Sequence, residues 1–243
     1  MSRFRVGTSG YDYPHWEGVL YPDDLPAARR FGYYAERFDT VEINNTFYGL
    51  PERSTFRAWR KRAPEGFVYA LKFSRYGSHM KHLKDPASTI GTFLDAASEL
   101  DETLGPVLVQ LPPSWNADPE RLDAFLGAAP NERRWAVEFR DESWLRDDVF
   151  EVLRDHDAAL CIHDMLEGHP RLATADWVYM RFHGALAGHP YSRQYLTARA
   201  REVDEHLEAG RDVFGFFNND PEGRAVRDAL DLRRYVENRR DED

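Results

Sequence analysis

The sequence predicts an α/β fold, specifically a single (β/α)₈ TIM barrel formed by residues 1–243. Three observations favour this fold. Eight short apolar runs recur along the chain, amphipathic stretches of helical length separate most of them, and no Gly-, Pro- or Ser-rich linker divides the chain. Eight strands alternating with helices also suit a chain of this length, because such barrels typically need roughly 250 residues.

The predicted strands are the apolar runs at residues 4–7, 40–43, 67–73, 107–111, 135–139, 159–162, 177–182 and 213–217. Amphipathic periodicity predicts helices at residues 25–38, 52–62, 86–103, 119–127, 145–156, 192–209 and 222–236. The segment after the sixth strand is too short and irregular for a helix. A doubly wound open sheet is the alternative, but the first turn, Gly7-Thr8-Ser9-Gly10-Tyr11, lacks the dinucleotide-binding spacing typical of that fold.

Charge and composition limit the partners. The net charge is −10 at pH 7, so we expect no general nucleic-acid binding. No apolar stretch approaches the roughly 20 residues that a membrane span needs, and the N-terminus shows no signal-peptide core. We therefore expect no membrane association and a cytoplasmic location. The single cysteine, Cys161, excludes an intramolecular disulfide and a multi-cysteine metal site.

Alternation along the predicted strands assigns polar residues to the barrel interior. Successive side chains of a barrel strand point to the interior and to the helix layer in turn, and the apolar set should face the helices. The rule turns these residues inward: Glu42, Asn44, Lys72, Gln110, Glu138, Arg140, Tyr179, Arg181 and His183. In the sixth strand either His163 or Asp164 is the inward residue, and Asn218 follows the eighth strand.

Most of these polar residues lie at the C-terminal ends of the strands, where barrel enzymes hold their catalytic groups. Buried charges are costly unless they are paired or functional. The sequence therefore favours a ligand-binding or catalytic site at the C-terminal mouth of the barrel. The alternative is a set of ion pairs that merely fills the mouth.

Two glutamates and a histidine are the candidate catalytic residues. Glu42 and Glu138 lie on opposite sides of the predicted mouth, where two carboxyl groups can act as general acid and general base. The alternative is that each is an ionised partner of an arginine or lysine. His183 is a candidate proton shuttle, because imidazole is the side-chain group suited to proton transfer near neutral pH, or else an imidazole hydrogen-bonded beside Gly184.

Three cations are candidate holders of an anionic group: Lys72, Arg140 and Arg181. Their alternative partners are the two glutamates or Asp164, which is itself a candidate substrate-binding residue. The amides Asn44, Gln110 and Asn218 are candidate positioning groups. Among the loop aromatics, Tyr48 and Tyr191 are the candidates for ligand contact through inward hydroxyls, the alternative being a packed lid.

We predict neither a bound metal ion nor a cofactor. His79, His163 and His183 fall near the mouth, but no compact ligand motif such as H-E-x-x-H occurs, and three nearby cations oppose a divalent ion.

The chain resembles the YecE-like barrels, also called domain of unknown function 72. The matching pieces are Gly7-Thr8-Ser9-Gly10 with Tyr13, Trp16, Tyr21 and Pro22; Val41-Glu42-Ile43-Asn44 with Thr46-Phe47-Tyr48 and Pro51; Lys72 with His79; Gln110-Leu111-Pro112-Pro113; Val137-Glu138-Phe139-Arg140 with Ser143-Trp144; Tyr179, Arg181 and His183-Gly184; Tyr191 and Tyr195; and Phe217-Asn218-Asn219 with Gly223 and Ala225. Departures are Tyr11 for a usual Trp, Ser78 for Thr, and Asp141 for His, so we assign Asp141 no catalytic role. The resemblance implies the barrel fold and leaves the reaction open.

These residues together predict a hydrolase or lyase that needs no cofactor and acts on a small polar or anionic substrate, such as a sugar or nucleoside derivative. One alternative is a non-catalytic barrel that binds a metabolite or a peptide. Another is a metal-dependent phosphoesterase. The sequence carries no indication of the oligomeric state.

Overall fold

The computed structural model describes residues 2–184 and 191–242 and contains eight parallel strands that form a nearly closed barrel. Each strand from β2 to β7 pairs with the next in sequence, and β8 pairs with β1. The strands are β1 (Phe4–Thr8), β2 (Thr40–Ile43), β3 (Val68–Lys72), β4 (Leu104–Gln110), β5 (Trp135–Glu138), β6 (Ala159–His163), β7 (Trp177–Phe182) and β8 (Asp212–Phe217). The predicted (β/α)₈ fold and all eight predicted strands are confirmed.

The seam between β1 and β2 depends on a close backbone approach. Ser9 and Glu42 form an isolated parallel bridge there, and the Gly10 amide donates to the Glu42 carbonyl oxygen over 2.8 Å. A Cβ atom at Gly7 would lie 2.3 Å from the carbonyl oxygen of Thr40. Only glycine therefore allows β1 to come this near to β2.

Helices cover the outside of the barrel. They are α1 (Ala27–Ala35), α2 (Asn45–Tyr48), α3 (Arg53–Arg62), α4 (Pro86–Ala97), α5 (Pro119–Gly127), α6 (Asp147–Asp155), α7 (Arg193–Glu208) and α8 (Arg224–Glu242). None of the helices in the described ranges is both long enough and apolar enough to cross a membrane.

The predicted helix at residues 86–103 is shorter than expected. It ends as α4 at Ala97 and continues as a 3₁₀ turn, Ser98–Thr103, in which Asp101 has a φ of 50°. Two elements after β2 and β3 were not predicted, namely α2 and a π-helical turn at Tyr76–Met80. Both are too short to produce an amphipathic period in the sequence.

Two apolar layers confirm the alternation along the strands. Residues such as Val41, Val107 and Val137 pack against the helices. The interior layer consists of Ala70, Leu108, Ala136, Ala159, Cys161, Trp177, Tyr179, Phe214 and Phe216. Because Cys161 faces the interior, alternation makes His163 the inward residue of β6, and Asp164 follows the strand. This apolar filling forms a floor beneath the polar C-terminal mouth.

Candidate functional site

Arg181 of β7 is the centre of a buried ion-pair network at the mouth. Its Nη1 donates to Oε2 of Glu138 over 2.6 Å, and its Nη2 donates to Oε1 of Glu42 over 2.8 Å. The Arg181 side chain is only 2% exposed, and both glutamates are fully buried. Charge-assisted hydrogen bonds of this kind offset the desolvation of all three groups. The network thus ties β2, β5 and β7 together.

Glu42 has a full set of hydrogen-bond donors. Its Oε1 also accepts from Ser9 Oγ at 2.7 Å and from Asn44 Nδ2 at 3.2 Å, while Oε2 accepts from the Tyr179 hydroxyl at 2.6 Å. Burial alone would raise the pKa of Glu42, but the Arg181 charge and the Tyr179 and Ser9 hydrogen bonds bring that pKa below its ordinary value. Glu42 is therefore a carboxylate at neutral pH.

Glu138 is ionised for a similar reason. Its Oε1 accepts from Arg140 Nε, its Oε2 accepts from Arg181, and Cys161 Sγ lies 3.7 Å from Oε2. Burial would raise the pKa of Glu138, but the Arg181 guanidinium holds that pKa well below its ordinary value. Both glutamates are thus ionised partners of an arginine, which was the alternative to a catalytic role. Their role as general acid and general base stays a prediction.

Lys72 is placed differently from the two arginines. Its Nζ donates to Gln110 Oε1 over 2.7 Å and lies 4.1 Å from the ring centroid of Phe47. The residue is 8% exposed, and no ion pair within the described part of the chain includes it. Burial, together with the positive charge of Arg181, lowers the pKa of Lys72 to about 8. A fraction of this amine is consequently neutral near physiological pH.

His183 lies just past the end of β7. Its Nδ1 is 3.2 Å from Nδ2 of the exposed Asn218, and its Nε2 is 3.9 Å from Oε2 of Glu138. That Nε2 atom is buried and has no hydrogen-bond partner in the described ranges. The nearest charged group to this Nε2 atom is the Glu138 carboxylate, and the role of His183 as a proton shuttle stays a prediction.

Asp164 and Tyr191 bond to each other above β6 and β7. The Tyr191 hydroxyl donates to Asp164 Oδ2 and accepts from the Gly184 amide at 2.6 Å, while Asp164 Oδ1 accepts from the His183 amide at 2.9 Å. Burial raises the pKa of Tyr191. These bonds brace the segment that carries His183. Tyr48, by contrast, is 78% exposed, and its contact with a ligand stays a prediction.

The three histidines considered for metal binding have separate protein partners. His163 Nε2 lies 2.7 Å from the carbonyl oxygen of Phe139, and His79 Nδ1 lies 3.0 Å from Ser78 Oγ. Across residues 2–184 and 191–242, no group of three or more His, Cys, Asp or Glu side chains is arranged to hold a metal ion. The metal-dependent phosphoesterase alternative therefore has no ligand cluster in those residues to support it.

Strand alternation located most of the mouth but missed three contacts. Nine of the predicted residues make direct contacts with one another at the mouth, in two groups. One is Lys72 with Gln110, and the other is Glu42, Asn44, Glu138, Arg140, Arg181, His183 and Asn218. The missed partners are Ser9 and Tyr179 on Glu42, and Phe47 beside Lys72. Alternation had already turned Tyr179 inward, and Ser9 follows β1 directly, so both carried a usable signal.

Fold and mouth together define a (β/α)₈ barrel protein with a charged site at its C-terminal end. The chain belongs to the family described as "Protein of unknown function DUF72", which it matches over residues 5–243. It is 23% identical over 244 residues to the UPF0759 protein YunF of Bacillus subtilis (strain 168), and the match covers 85% of this chain and 86% of that protein.

Solved structures show the same architecture. A DUF72 family protein from Thermotoga maritima superposes with a TM-score of 0.87 at 29% identity, covering 97% of this chain and 99% of that one. D-psicose 3-epimerase from Clostridium cellulolyticum H10 gives a TM-score of 0.57 at 12% identity, covering 98% and 99%. A 3-keto-D-glucoside 4-epimerase from E. coli gives 0.54 at 12% identity, covering 97% and 100%. The two epimerases share the fold alone.

Proposed function

We propose that the protein is a lyase-type enzyme that moves protons on a small polar substrate bound at the mouth. The substrate is a sugar or nucleoside derivative with a carbonyl or anionic group, and the reaction uses side chains of this chain. The observation that carries the proposal is Lys72, a buried amine with a pKa of about 8 and no carboxylate partner in the described ion pairs.

The ionisation of the glutamates favours a lyase over a hydrolase. Glycoside hydrolysis by paired carboxyl groups needs one carboxyl with a raised pKa, which holds the proton for the leaving group. The pKa values of Glu42 and Glu138 are both lowered instead. We therefore assign the proton transfers to Lys72 and His183, and treat the two glutamates with Arg181 as a fixed electrostatic platform.

The proposed reaction begins when neutral Lys72 removes a proton from the carbon next to a carbonyl group. The C–H electron pair forms an enolate, which the positive charge that Lys72 gains with the proton stabilises. The enolate re-forms its carbonyl as a leaving group departs from the neighbouring carbon. His183 donates the proton on its Nε2 to that leaving group. To complete the cycle, the Lys72 ammonium releases its proton to water and His183 takes up one proton from water.

The charge balance of the mouth supports an anionic or carbonyl-bearing substrate. Arg140 and Arg181 pair with Glu42 and Glu138, whereas Lys72 has no ion pair among the described residues, so its charge is available to an anionic group bound beside it. Two fold neighbours are named as a D-psicose 3-epimerase and a 3-keto-D-glucoside 4-epimerase, and these names support a keto-sugar substrate for a barrel of this kind.

Proton exchange with solvent tests the proposal without a known substrate. The protein is incubated in D₂O with a panel of ketohexoses, uronic acids and 2-keto acids, and loss of the C–H signal beside the carbonyl is followed by proton NMR. We expect exchange with at least one compound. Lys72→Met should slow it by at least about 100-fold, the size of a typical general-base contribution.

The matched control is Lys61→Met, which removes an exposed lysine on α3 and should leave the exchange rate unchanged. No exchange with any compound, or equal exchange in wild type and Lys72→Met, would contradict the proposal. Binding of a panel compound without exchange would support the non-catalytic barrel instead.

A further inference from the structure

A pocket of about 320 Å³ opens beside the mouth, between α2, the π-helical turn Tyr76–Met80 and α4. Because α2 follows β2 and the π-helical turn follows β3, the pocket lies on the same face of the barrel as the ion-pair network. Its volume is near the lower end of the range for small-molecule sites, roughly 300–1,000 Å³. The space therefore suits one planar group.

The ring of Phe47 is a wall shared by this pocket and the mouth. Phe47 lines the pocket, and its ring centroid is 4.1 Å from Lys72 Nζ. The Tyr48 ring meets Phe47 edge-on at 5.1 Å between centroids. A group that packs on Phe47 from the pocket is thus separated from Lys72 by a single ring.

The lining of the pocket is unusually apolar for a surface exposed to water. Tyr48, Tyr76 and Met80 are 78%, 52% and 67% exposed, and they account for three of the five exposed large hydrophobic residues in the described ranges. Each Å² of apolar surface left in water forgoes about 25 cal/mol of the free energy that burial would provide. Exposed apolar side chains gathered at one opening are typical of a ligand site, because a bound group covers them.

We propose that this pocket binds an aromatic ring of the substrate, while the polar, carbonyl-bearing part of the same molecule reaches Lys72. The inference rests on the proposed function and narrows its substrate class to carbonyl-bearing sugars that also carry a planar ring. Ring faces on Tyr48 and Tyr76 provide the stacking partners, and Arg75 places a cation at the edge of the pocket.

Binding of ring-bearing and ring-free compounds tests the inference. The probes are adenosine and 4-nitrophenyl β-D-glucopyranoside, with ribose and methyl β-D-glucopyranoside as their ring-free counterparts, and dissociation constants are measured by NMR titration of the full chain. We expect each ring-bearing probe to bind roughly tenfold tighter than its counterpart, a factor within reach of one stacked ring.

A substitution that fills the pocket localises the effect. Thr92 lines the pocket on α4, and Thr92→Trp should remove the tenfold advantage of the ring. Ala87→Trp is the matched control, since Ala87 is exposed on the same helix and does not line the pocket. It should retain the advantage.

Three results would overturn the inference: no binding of either ring-bearing probe, equal affinities with and without the ring, or an advantage that survives Thr92→Trp. Failure of the proposed function shows separately. It appears as deuterium exchange that is absent or insensitive to Lys72→Met, whatever the ring preference.

Discussion

The guanidinium of Arg181 donates from Nη2 to Oε1 of Glu42 over 2.8 Å, although both side chains are withdrawn from water. The same guanidinium holds Glu138 with its other terminal nitrogen. One cation therefore keeps two buried carboxylates ionised, which makes it the residue on which the stability of the mouth depends most directly.

Arg181→Met is expected to lower the free energy of unfolding by about 3–5 kcal/mol, because it leaves buried carboxylates without their counter-charge. Urea denaturation followed by circular dichroism measures the change. The triple variant Arg181→Met with Glu42→Gln and Glu138→Gln is the control, and it should regain part of the loss since no buried charge is then unpaired. A loss below about 1 kcal/mol for Arg181→Met, as for an exposed pair, would contradict this account.

Acidification is expected to weaken the fold through the two glutamates. The pKa values of Glu42 and Glu138 in the folded protein lie below the ordinary 4.5. The unfolded chain therefore binds more protons, so this stabilisation is complete above the ordinary pKa and is lost as pH falls through the folded-state values. Unfolding free energies measured from neutral to acid pH should fall less steeply for Glu138→Gln than for wild type. If the unfolding free energies of wild type and Glu138→Gln fell in parallel with pH, Glu138 would not be a source of the acid sensitivity.

Lys72 has an effect of the same sign in the alkaline range, where it also makes the unfolding free energy rise with pH. Its folded-state pKa is about 8 and its ordinary value is 10.5. Between these values the unfolded chain holds a proton that the folded chain has released, so this residue makes stability rise with pH across that interval. Reductive ¹³C-methylation and NMR titration of the four lysines measure the pKa directly.

In that titration the Lys72 signal should move near pH 8, and Lys81 should titrate above its ordinary value because it pairs with Asp85. The Lys72→Met variant should lose both the signal and its share of the alkaline rise in stability. A Lys72 signal that titrates together with the exposed lysines would refute the buried placement.

Tyr179→Phe removes the hydroxyl that donates to Oε2 of Glu42. Loss of one hydrogen bond to a buried carboxylate is expected to cost about 1–3 kcal/mol of unfolding free energy. Thermal and urea denaturation measure it, with Tyr48→Phe as the matched control because Tyr48 is 78% exposed. Equal stabilities of the two variants would show that the Tyr179 hydrogen bond contributes nothing.

Alternation of apolar residues predicted the barrel and the inward direction of its polar groups, because covering helices impose that pattern on every strand. Periodicity did not show which cation pairs with which carboxylate. The pairing depends on the position of the terminal groups of long side chains. The guanidinium of Arg181 contacts two glutamates, whereas the Lys72 amine contacts the Gln110 amide and the Phe47 ring. Nor did it reveal the π-helical turn Tyr76–Met80, whose five residues are too few to display a period.

Glu42 belongs both to the seam between β1 and β2 and to the ion-pair network of the mouth. Its backbone oxygen and its carboxylate both receive hydrogen bonds from the β1 side of the seam, through Gly10 and Ser9, while the same carboxylate holds Arg181. A relative without any activity at this site would still gain stability from the Glu42 carboxylate through its bonds to Ser9 and Arg181. Persistence of Glu42 among relatives is therefore poor evidence of activity, and Lys72, which has no part in closure, is the better indicator.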